Sequence, residues 1–389
     1  MTKSTTGNSM TPMPFITVSF LALIFGTCQG LAQQSVDVWI GTGRSALSKG
    51  IYQCVLNTKT GTLSNPSLAA EISGPGFLAM HPDRSKLYAV GSLGGKASVV
   101  AYQISGHGND ASLKLLNSIE IGDGGATHLC VDKRGGTILT AQYGGGSVAV
   151  FTLNEDGALE KKTQLIEHEG GSGVVPGRQD SPHPHWVGFS PDNRFAFVPD
   201  LGLDRVAIYR FDGANSRITP HGHAKLLPGA GPRHMKFISS GNWAYVLNEL
   251  DLSVSVFDYS KDVGAMTAKQ TIPTVPKEDL QGERFKSASE IRLHPSGRFV
   301  YAANRGHDTI TAFRVNPDTG ELSVIEREFI RGATPRNFNL DPSGNWLLAA
   351  GQNSHTLASF SVDQSTGELT YNQSVVFAPS AICVLFGPE

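Results

Sequence analysis

Beyond residue 34, the hydrophobic positions fall into short runs rich in Val, Ile, Thr and Phe, and Gly, Asn, Asp or Pro separates one run from the next. This texture is typical of β-strands joined by tight turns. Helical periodicity is scarce over the same part of the chain. The pattern therefore predicts an all-β protein.

The strand pattern also repeats along the chain. Each unit has a strand, a Pro-Asp or Pro-Ser-Gly turn, a second strand, a short polar loop and a third strand. The same turn is marked in four units by Pro82, Pro191, Pro295 and Pro342. A further strand follows before the next unit begins. Four strands that recur about every 50 residues predict the blades of a β-propeller.

Six units are complete, and the seventh is divided between the two ends of the chain. The segments VDVWIGTG and GIYQCVL near the N-terminus would supply its middle strands, and SAICVLF at the C-terminus would supply its innermost strand. Pairing these ends closes the ring and removes two exposed sheet edges. We therefore predict one seven-bladed propeller domain over residues 33–389.

The first 32 residues have a different composition. Lys3 precedes the apolar run FITVSFLALIF of residues 15–25, and small residues follow as far as Ala32. This order predicts a signal peptide at residues 1–32, and therefore export to the periplasm or beyond with no membrane attachment after cleavage. An uncleaved anchor and a lipoprotein modified at Cys28 are the alternatives.

The charge balance narrows the classes of partner. The formal net charge is −2 and 17% of residues are charged, as in a soluble globular protein. Lys and Arg are scattered and form no stripe, so we expect no nucleic-acid partner. The G-x-S-x-G pattern of many serine hydrolases is missing from the sequence. We expect a monomer that binds a small molecule.

In a propeller, the start of each innermost strand and the loop between the second and third strands meet at one mouth of the central channel. The strand starts carry Thr127, His128, His183, His185, Arg233, His234, Glu290, Arg336 and Asn337. The loops carry Tyr143, Asp200, Glu249, Arg305 and Gln352. Convergent polar groups in a concave place predict ligand binding or catalysis. A merely solvated channel lining is the alternative.

Two histidines stand two residues apart in RQDSPHPHWVGF, residues 178–189. Alternate side chains of an extended segment share a face, so His183 and His185 point the same way. They could be metal ligands, caps or catalysts. Arginines at the same mouth would repel a divalent cation, so we expect no metal. We interpret His183 as a cap and His185 as a candidate general acid or base.

Arg233, Arg305 and Arg336 offer forked donors that suit a carboxylate or a phosphate. Alternatively, each arginine pairs with an acidic side chain such as Glu249 or Glu290. Glu249 follows a hydrophobic strand, so we expect its carboxyl to be partly desolvated. Burial could raise the pKa of this carboxyl into a catalytic range, or an arginine could hold it ionised.

The chain resembles the seven-bladed lactonase propellers, a family that includes bacterial propeller-type 6-phosphogluconolactonases and fungal carboxymuconate-lactonizing enzymes. The blocks that carry the resemblance are GVVPGRQDSPHPHW, DLGLDRVAIY, GPRHMKF, YVLNELDLSVSVF, SASEIRLHPSGRFVYAANRGHDTI and TPRNFNLDPSGNWLLAAGQNS. The resemblance implies catalysis by His185, Arg233, Glu249 and Arg305, with no metal or organic cofactor.

We therefore expect hydrolysis of a sugar-derived or carboxylate-bearing lactone by acid and base catalysis, with arginines that clamp the anion. The remaining expected substrate contacts are His128, Tyr143, Glu290, Arg336, Asn337 and Gln352. An exported member is expected to meet a substrate other than the phosphorylated cytosolic lactone. Cycloisomerisation and sugar-ring elimination are alternative reactions. A non-catalytic exported propeller that binds a partner is the alternative from another functional class.

Overall fold

The computed structural model describes residues 1–8, 35–283 and 285–387. The chain divides into two units, Met1–Ala32 and Gln33–Glu389. The apolar run of residues 15–25 and Cys28, on which the signal-peptide prediction rests, lie outside the described residues. Among the described residues, there is no helix with the length and hydrophobicity that a membrane span requires.

In the described part of Gln33–Glu389, 28 strands form seven antiparallel sheets of four strands each. The closing blade contains β1 (Ser35–Thr42), β2 (Gly50–Asn57), β3 (Ser67–Glu71) and β28 (Ala381–Phe386). The next two blades contain β4 (Ser73–Met80), β5 (Lys86–Leu93), β6 (Lys96–Ser105), β7 (Ser112–Glu120), β8 (His128–Val131), β9 (Thr137–Gln142), β10 (Ser147–Leu153) and β11 (Leu159–Glu167).

The following two blades contain β12 (Gly188–Phe189), β13 (Phe195–Asp200), β14 (Arg205–Asp212), β15 (Arg217–Lys225), β16 (Pro232–Phe237), β17 (Trp243–Asn248), β18 (Ser253–Ser260) and β19 (Ala265–Pro273). The last two contain β20 (Ser287–Leu293), β21 (Phe299–Arg305), β22 (Thr309–Val315), β23 (Leu322–Phe329), β24 (Pro335–Leu340), β25 (Trp346–Gly351), β26 (Thr356–Val362) and β27 (Leu369–Phe377). Short 3-10 turns occupy Gly108–Asp110, Leu201–Leu203 and Glu278–Leu280.

Both ends of the chain build one blade. Its strand order is β28–β1–β2–β3, and β1 pairs with β28 in the register Val38 with Phe386 and Ile40 with Val384. The prediction of a seven-bladed propeller closed by its two ends is therefore confirmed. The pairing satisfies the backbone groups that each end would otherwise leave exposed on a sheet edge.

The hydrophobic core lies between neighbouring blades. Ile40 and Val384 of the closing blade belong to one buried cluster with Leu348 and Leu357 of the blade formed by β24–β27. Since both faces of a blade pack against a neighbour, the inner strands are apolar on both sides and appear in the sequence as continuous apolar runs.

A tight turn joins the innermost strand of a blade to the second strand of the same blade. In one such turn, the Asp132 carboxylate accepts hydrogen bonds from the backbone N–H groups of Gly136 and Thr137, each at 2.8 Å. Asp341 holds the equivalent turn by accepting from the Trp346 N–H at 2.7 Å. Because all such turns lie at one face, the innermost strands all start at the opposite face, where the predicted site residues lie.

Candidate functional site

Each candidate catalytic residue lies near the beginning or the end of a strand. Arg233 lies at the start of β16, and Arg305 is the last residue of β21. Glu249 comes directly after β17, and His185 lies shortly before β12. These positions converge at one mouth of the channel.

Glu249 joins three arginines. Its Oε2 accepts from Arg233 Nε at 2.8 Å and lies 3.1 Å from Arg305 Nη2, and its Oε1 accepts from Arg178 Nη2 at 2.6 Å. The residue is only 5% exposed. Charge-assisted hydrogen bonds of this kind are stronger than neutral ones, so this cluster fixes the side chains at the mouth.

Burial by itself would raise the pKa of the Glu249 carboxyl, but the positive charges of Arg305 and Arg233 outweigh it and hold the pKa well below its usual range. The sequence left open whether burial raises the pKa of Glu249 or an arginine holds its carboxylate ionised. The structure has the second arrangement. Glu249 is ionised at neutral pH, and it is poorly suited to act as a proton donor.

The Arg233 guanidinium donates hydrogen bonds to two other residues of the protein. Besides its bond to Glu249, Nη1 donates to the backbone carbonyl of Ser289 and lies 3.2 Å from His234 Nε2. Burial and the neighbouring Arg305 lower the pKa of the guanidinium to about 9. This value is above neutral pH, so Arg233 carries its positive charge in the site.

Arg305 is held in a similar way. Its Nη2 donates to the hydroxyl of Ser287 and, at 3.1 Å, to the carbonyl of Ala288. The guanidinium carbon lies 5.4 Å from the centre of the Phe285 ring, a distance at which a cation is attracted to an aromatic face. The sequence left open whether the arginines bind a substrate anion or pair with an acidic side chain. Arg233 and Arg305 both pair with Glu249.

Arg336 differs from the other arginines at this mouth. It is half-buried, and it makes no hydrogen bond or ion pair with any residue in the described ranges 1–8, 35–283 and 285–387. It lines a cavity of about 180 Å³ together with Thr127, His185, Arg233 and His234. The Arg336 guanidinium thus lines a cavity, and its N–H groups remain available to a ligand.

His185 lines the same cavity and is 5% exposed. Its ring centre lies 5.2 Å from that of His234 and 5.4 Å from that of Tyr143, both edge-on. Burial and the charge of Arg233 keep the pKa of His185 well below 6.5. The imidazole is therefore neutral at pH 7 and can accept a proton.

The segment that carries His185 is anchored by Asp200. Asp200 Oδ1 accepts from the His183 N–H at 2.8 Å, and the His185 N–H donates to the Pro199 carbonyl at 3.1 Å. Asp200 Oδ2 lies 2.6 Å from His168 Nδ1, whose other ring nitrogen lies 2.7 Å from the Tyr209 hydroxyl. This buried chain of bonds fixes where the histidine segment enters the mouth.

His183 lies at the rim, where its Nδ1 is 2.7 Å from the Tyr143 carbonyl oxygen and its ring stacks on the Tyr143 ring at 4.4 Å. The Tyr143 hydroxyl is 3.4 Å from Arg178 Nη2. Tyr143 therefore links the histidine segment to the arginine cluster.

Three of the predicted substrate contacts bond or pack with neighbouring innermost strands, and one of them, Asn337, also lines the cavity with Arg336. His128 packs against Phe77 with ring centres 4.0 Å apart. Glu290 is fully buried, lies 3.0 Å from His234 Nδ1, and accepts from Asn337. Asn337 in turn accepts from the Val384 N–H at 2.9 Å. These bonds tie neighbouring innermost strands together.

Gln352 reaches the predicted loop position but not the arginine cluster. Its backbone N–H donates to the Thr334 carbonyl at 3.0 Å. Its side chain makes no hydrogen bond with any residue that the structure describes. Gln352 therefore takes no part in the hydrogen bonds around Glu249 among the described residues.

Sequence reasoning missed Arg178. The residue lies in the connection between β11 and β12, outside the strand starts and loops from which the candidates were collected. Its neighbour Gln179 is fully buried and donates to the Leu201 carbonyl at 2.8 Å and to Asp204 Oδ1 at 2.7 Å. The length of this connection was the available signal, because long loops in compact domains are often functional.

Within the described ranges, no group of three or more His, Cys, Asp or Glu side chains is arranged to hold a metal ion. The cationic groups here outnumber the anionic ones, with Arg178, Arg233, Arg305 and Arg336 around Glu249 and a neutral His185. This arrangement favours an anion, or a reaction in which negative charge develops.

Comparison with known proteins identifies the family. The family model described as "Lactonase, 7-bladed beta-propeller" matches residues 37–386. A 6-phosphogluconolactonase of Bacillus subtilis is 36% identical over 301 residues, which cover 77% of this chain and 83% of that protein.

Solved structures are similar over nearly the whole propeller. A periplasmic gluconolactonase of Pseudomonas aeruginosa superposes with a TM-score of 0.83 at 29% identity, covering 91% of this chain and 99% of that one. A protein from Lactobacillus plantarum has a TM-score of 0.85 at 30% identity and covers 91% of this chain and 100% of its own. The chain belongs to the seven-bladed β-propeller lactonase family.

Proposed function

We propose that this protein is an exported hydrolase of sugar-derived lactones. The observation that carries the proposal is one cavity lined by both Arg336 and His185. Among the described residues the Arg336 guanidinium has no hydrogen-bond or ion-pair partner, and the imidazole of His185 is neutral at pH 7. The names of the relatives support the reaction class, since one is a 6-phosphogluconolactonase and another a periplasmic gluconolactonase.

In the proposed reaction, water adds to the lactone carbonyl carbon and His185 accepts a proton from that water. Negative charge then develops on the carbonyl oxygen, where Arg336 stabilises it with support from Arg233. The ring C–O bond breaks as the tetrahedral intermediate collapses, and the departing oxygen takes the proton from His185. The product is a hydroxy acid, whose carboxylate remains complementary to the arginines until it leaves.

Glu249 has a positioning role in this scheme. Its negative charge allows three arginines to lie close together, because without it their mutual repulsion at short distance would spread them. Arg233 and Arg305 are thereby held in fixed orientations. Arg336, which is not bonded to Glu249, contacts the substrate. A site organised in advance avoids the cost of reorienting donors during the reaction.

A substrate panel tests the reaction class. We expect proton release, followed in a pH-stat, with D-glucono-1,5-lactone and with its 6-phosphate, and the ratio of the two rates identifies the preferred substrate. Loss of ultraviolet absorbance with unsaturated diacids, and no proton release with lactones, would instead support the cycloisomerase. No reaction with either set would support the binding propeller.

The arginine without a partner gives a sharper test. Arg336→Gln should lower kcat/KM for the lactone by about 30-fold, because a hydrogen bond to a charged group contributes about 2 kcal/mol. Arg217→Gln is the matched control, since Arg217 is an exposed arginine on the outer strand β15. Equal activity of the two variants would contradict the assigned role of Arg336.

The pKa of His185 predicts an unusual pH profile. Because the pKa lies well below 6.5, the neutral form persists on acidification, and kcat/KM should be unchanged between pH 7 and pH 6. A base with an ordinary pKa of about 6.5 would retain only about a third of its pH 7 activity at pH 6. His185→Asn should lose about a hundredfold in kcat, and His183→Asn far less.

Export has its own measurement. The apolar run of residues 15–25 and the small residues before Gln33 motivate the expectation that the leader is removed. Mass spectrometry of the protein purified from its native host should give a chain that begins near Gln33. An intact N-terminus on cytosolic protein would contradict export and would restore a phosphorylated cytosolic lactone as the substrate.

A further inference from the structure

A second pocket lies at the other mouth of the channel, on the face that carries the tight turns. It has a volume of about 550 Å³ and is lined by residues from the innermost strands of three adjacent blades, among them Cys130, Lys133, Trp186, Phe189, Lys236 and Phe237. Lys236 follows Arg233 by three positions along β16, which at about 3.3 Å per residue places their backbones roughly 10 Å apart. The pocket is therefore separate from the lactone cavity.

The ammonium group of Lys236 has no hydrogen bond or ion pair with any residue in the described part of the chain. Its ammonium nitrogen lies 5.3 Å from the centre of the Trp186 ring, so its nearest favourable contact is an aromatic face. The side chain is half-buried and contributes to the wall of the pocket. A half-buried cation without an acceptor is costly unless a ligand or solvent serves it.

The charges around Lys236 do not balance. Arg292 is a second cation, and its Nη2 lies 3.4 Å from Glu290 Oε2. Glu290 is the neighbouring carboxylate, and it is already bonded to His234 and Asn337. Glu290 is thus the carboxylate near two cations, Arg292 and Lys236, and its oxygens already accept from other residues. This part of the channel has an excess of positive charge.

The acidity of Lys236 agrees with this imbalance. Burial and the charge of Arg292 lower its pKa to about 8, with smaller opposing effects from Glu290, Cys130 and Cys383. An anion in the pocket would remove this penalty. The rim lysine, Lys133, already donates its ammonium to the Pro191 carbonyl, so Lys236 is the cation that is available.

Most of the remaining wall of the pocket is apolar or aromatic, and Ser190 and Ser239 add two hydroxyl groups. Trp186 is 6% exposed, and Phe189, Met235 and Phe237 line the same pocket. Phe189 packs on Phe211 at 4.6 Å, and Phe237 packs on Tyr259 at 4.8 Å, so both rings are fixed from behind. Rigid aromatic walls favour a flat apolar body, and the ammonium favours a negative group attached to it.

We propose that this second pocket binds a small aromatic carboxylate, with the carboxylate on Lys236 and the ring between Trp186, Phe189 and Phe237. The site is independent of the proposed lactone chemistry and goes beyond it. Binding there would leave the arginine cluster around Glu249 untouched.

The test uses benzoate as the anionic probe and benzamide as its neutral analogue, titrated into the whole protein and followed by calorimetry and by tryptophan fluorescence. Benzoate should bind saturably with a millimolar or lower Kd, and benzamide at least tenfold more weakly. Lys236→Met should weaken benzoate binding at least tenfold, and Lys236→Arg should restore it. Trp186→Phe should abolish the fluorescence change.

Arg336→Gln separates the two mouths, because benzoate held by the lactone site would be lost in this variant and benzoate held by Lys236 would bind within twofold of the unmodified protein. Lys236→Met should melt no lower than the unmodified protein, since it removes an unpaired cation. If Lys236→Met misfolds, Lys236→Arg and Arg336→Gln still decide the matter. Absence of saturable benzoate binding, or loss of it in Arg336→Gln alone, would overturn the proposal.

Discussion

The antiparallel pairing of β1 with β28 is the contact on which the rest of the structure depends. It makes one blade from the two ends of the chain and turns a row of sheets into a ring. In a closed ring the innermost strands all start at one mouth, so side chains from distant parts of the sequence meet there. The distance in sequence between His185 and Arg336 is of no consequence once the ring is closed, because both line one small cavity.

At that mouth, one carboxylate organises several cations. Glu249 holds Arg178, Arg233 and Arg305, and the charges of these arginines keep it ionised in a buried place. Burial and the charge of Arg233 hold the pKa of His185 well below its usual value, so the imidazole is neutral beside a positive site. The neutral imidazole and Arg336, whose guanidinium has no hydrogen bond or ion pair among the described residues, line one cavity, which suits the proposed hydrolysis of a lactone. The second mouth repeats the charge excess with Lys236 but has aromatic walls, which suit a different ligand.

The blade count, the ring closure and the positions of Arg233, Glu249 and Arg305 could be predicted because turn residues and strand periodicity fix where each strand starts. What a side chain contacts could not be predicted in this way. Glu290 and Asn337 are at the predicted strand starts, but their side chains are engaged in hydrogen bonds across neighbouring blades. Arg178 could not be predicted because it reaches the site from a loop. The path of this loop depends on the hydrogen bond between Gln179 and Asp204, which are far apart in sequence. Side-chain pairing across blades carries no periodic signal.

The free energy of unfolding of Glu249→Gln, measured against that of the unmodified protein as a function of pH, tests this account most directly. The pKa of Glu249 in the folded protein lies below its unfolded value of about 4.3, so its stabilising contribution is complete above that pH and is lost as pH falls toward the folded pKa. The variant should be less stable by about 3 kcal/mol at pH 7, because removing one partner of a buried ion pair leaves the others uncompensated. Below about pH 4.3 the difference should shrink by about 1.4 kcal/mol per pH unit. Glu155→Gln, an exposed carboxylate, should show no such difference. A Glu249→Gln variant as stable as the unmodified protein at pH 7, or a difference that does not narrow at low pH, would contradict the claim that this carboxylate organises the site.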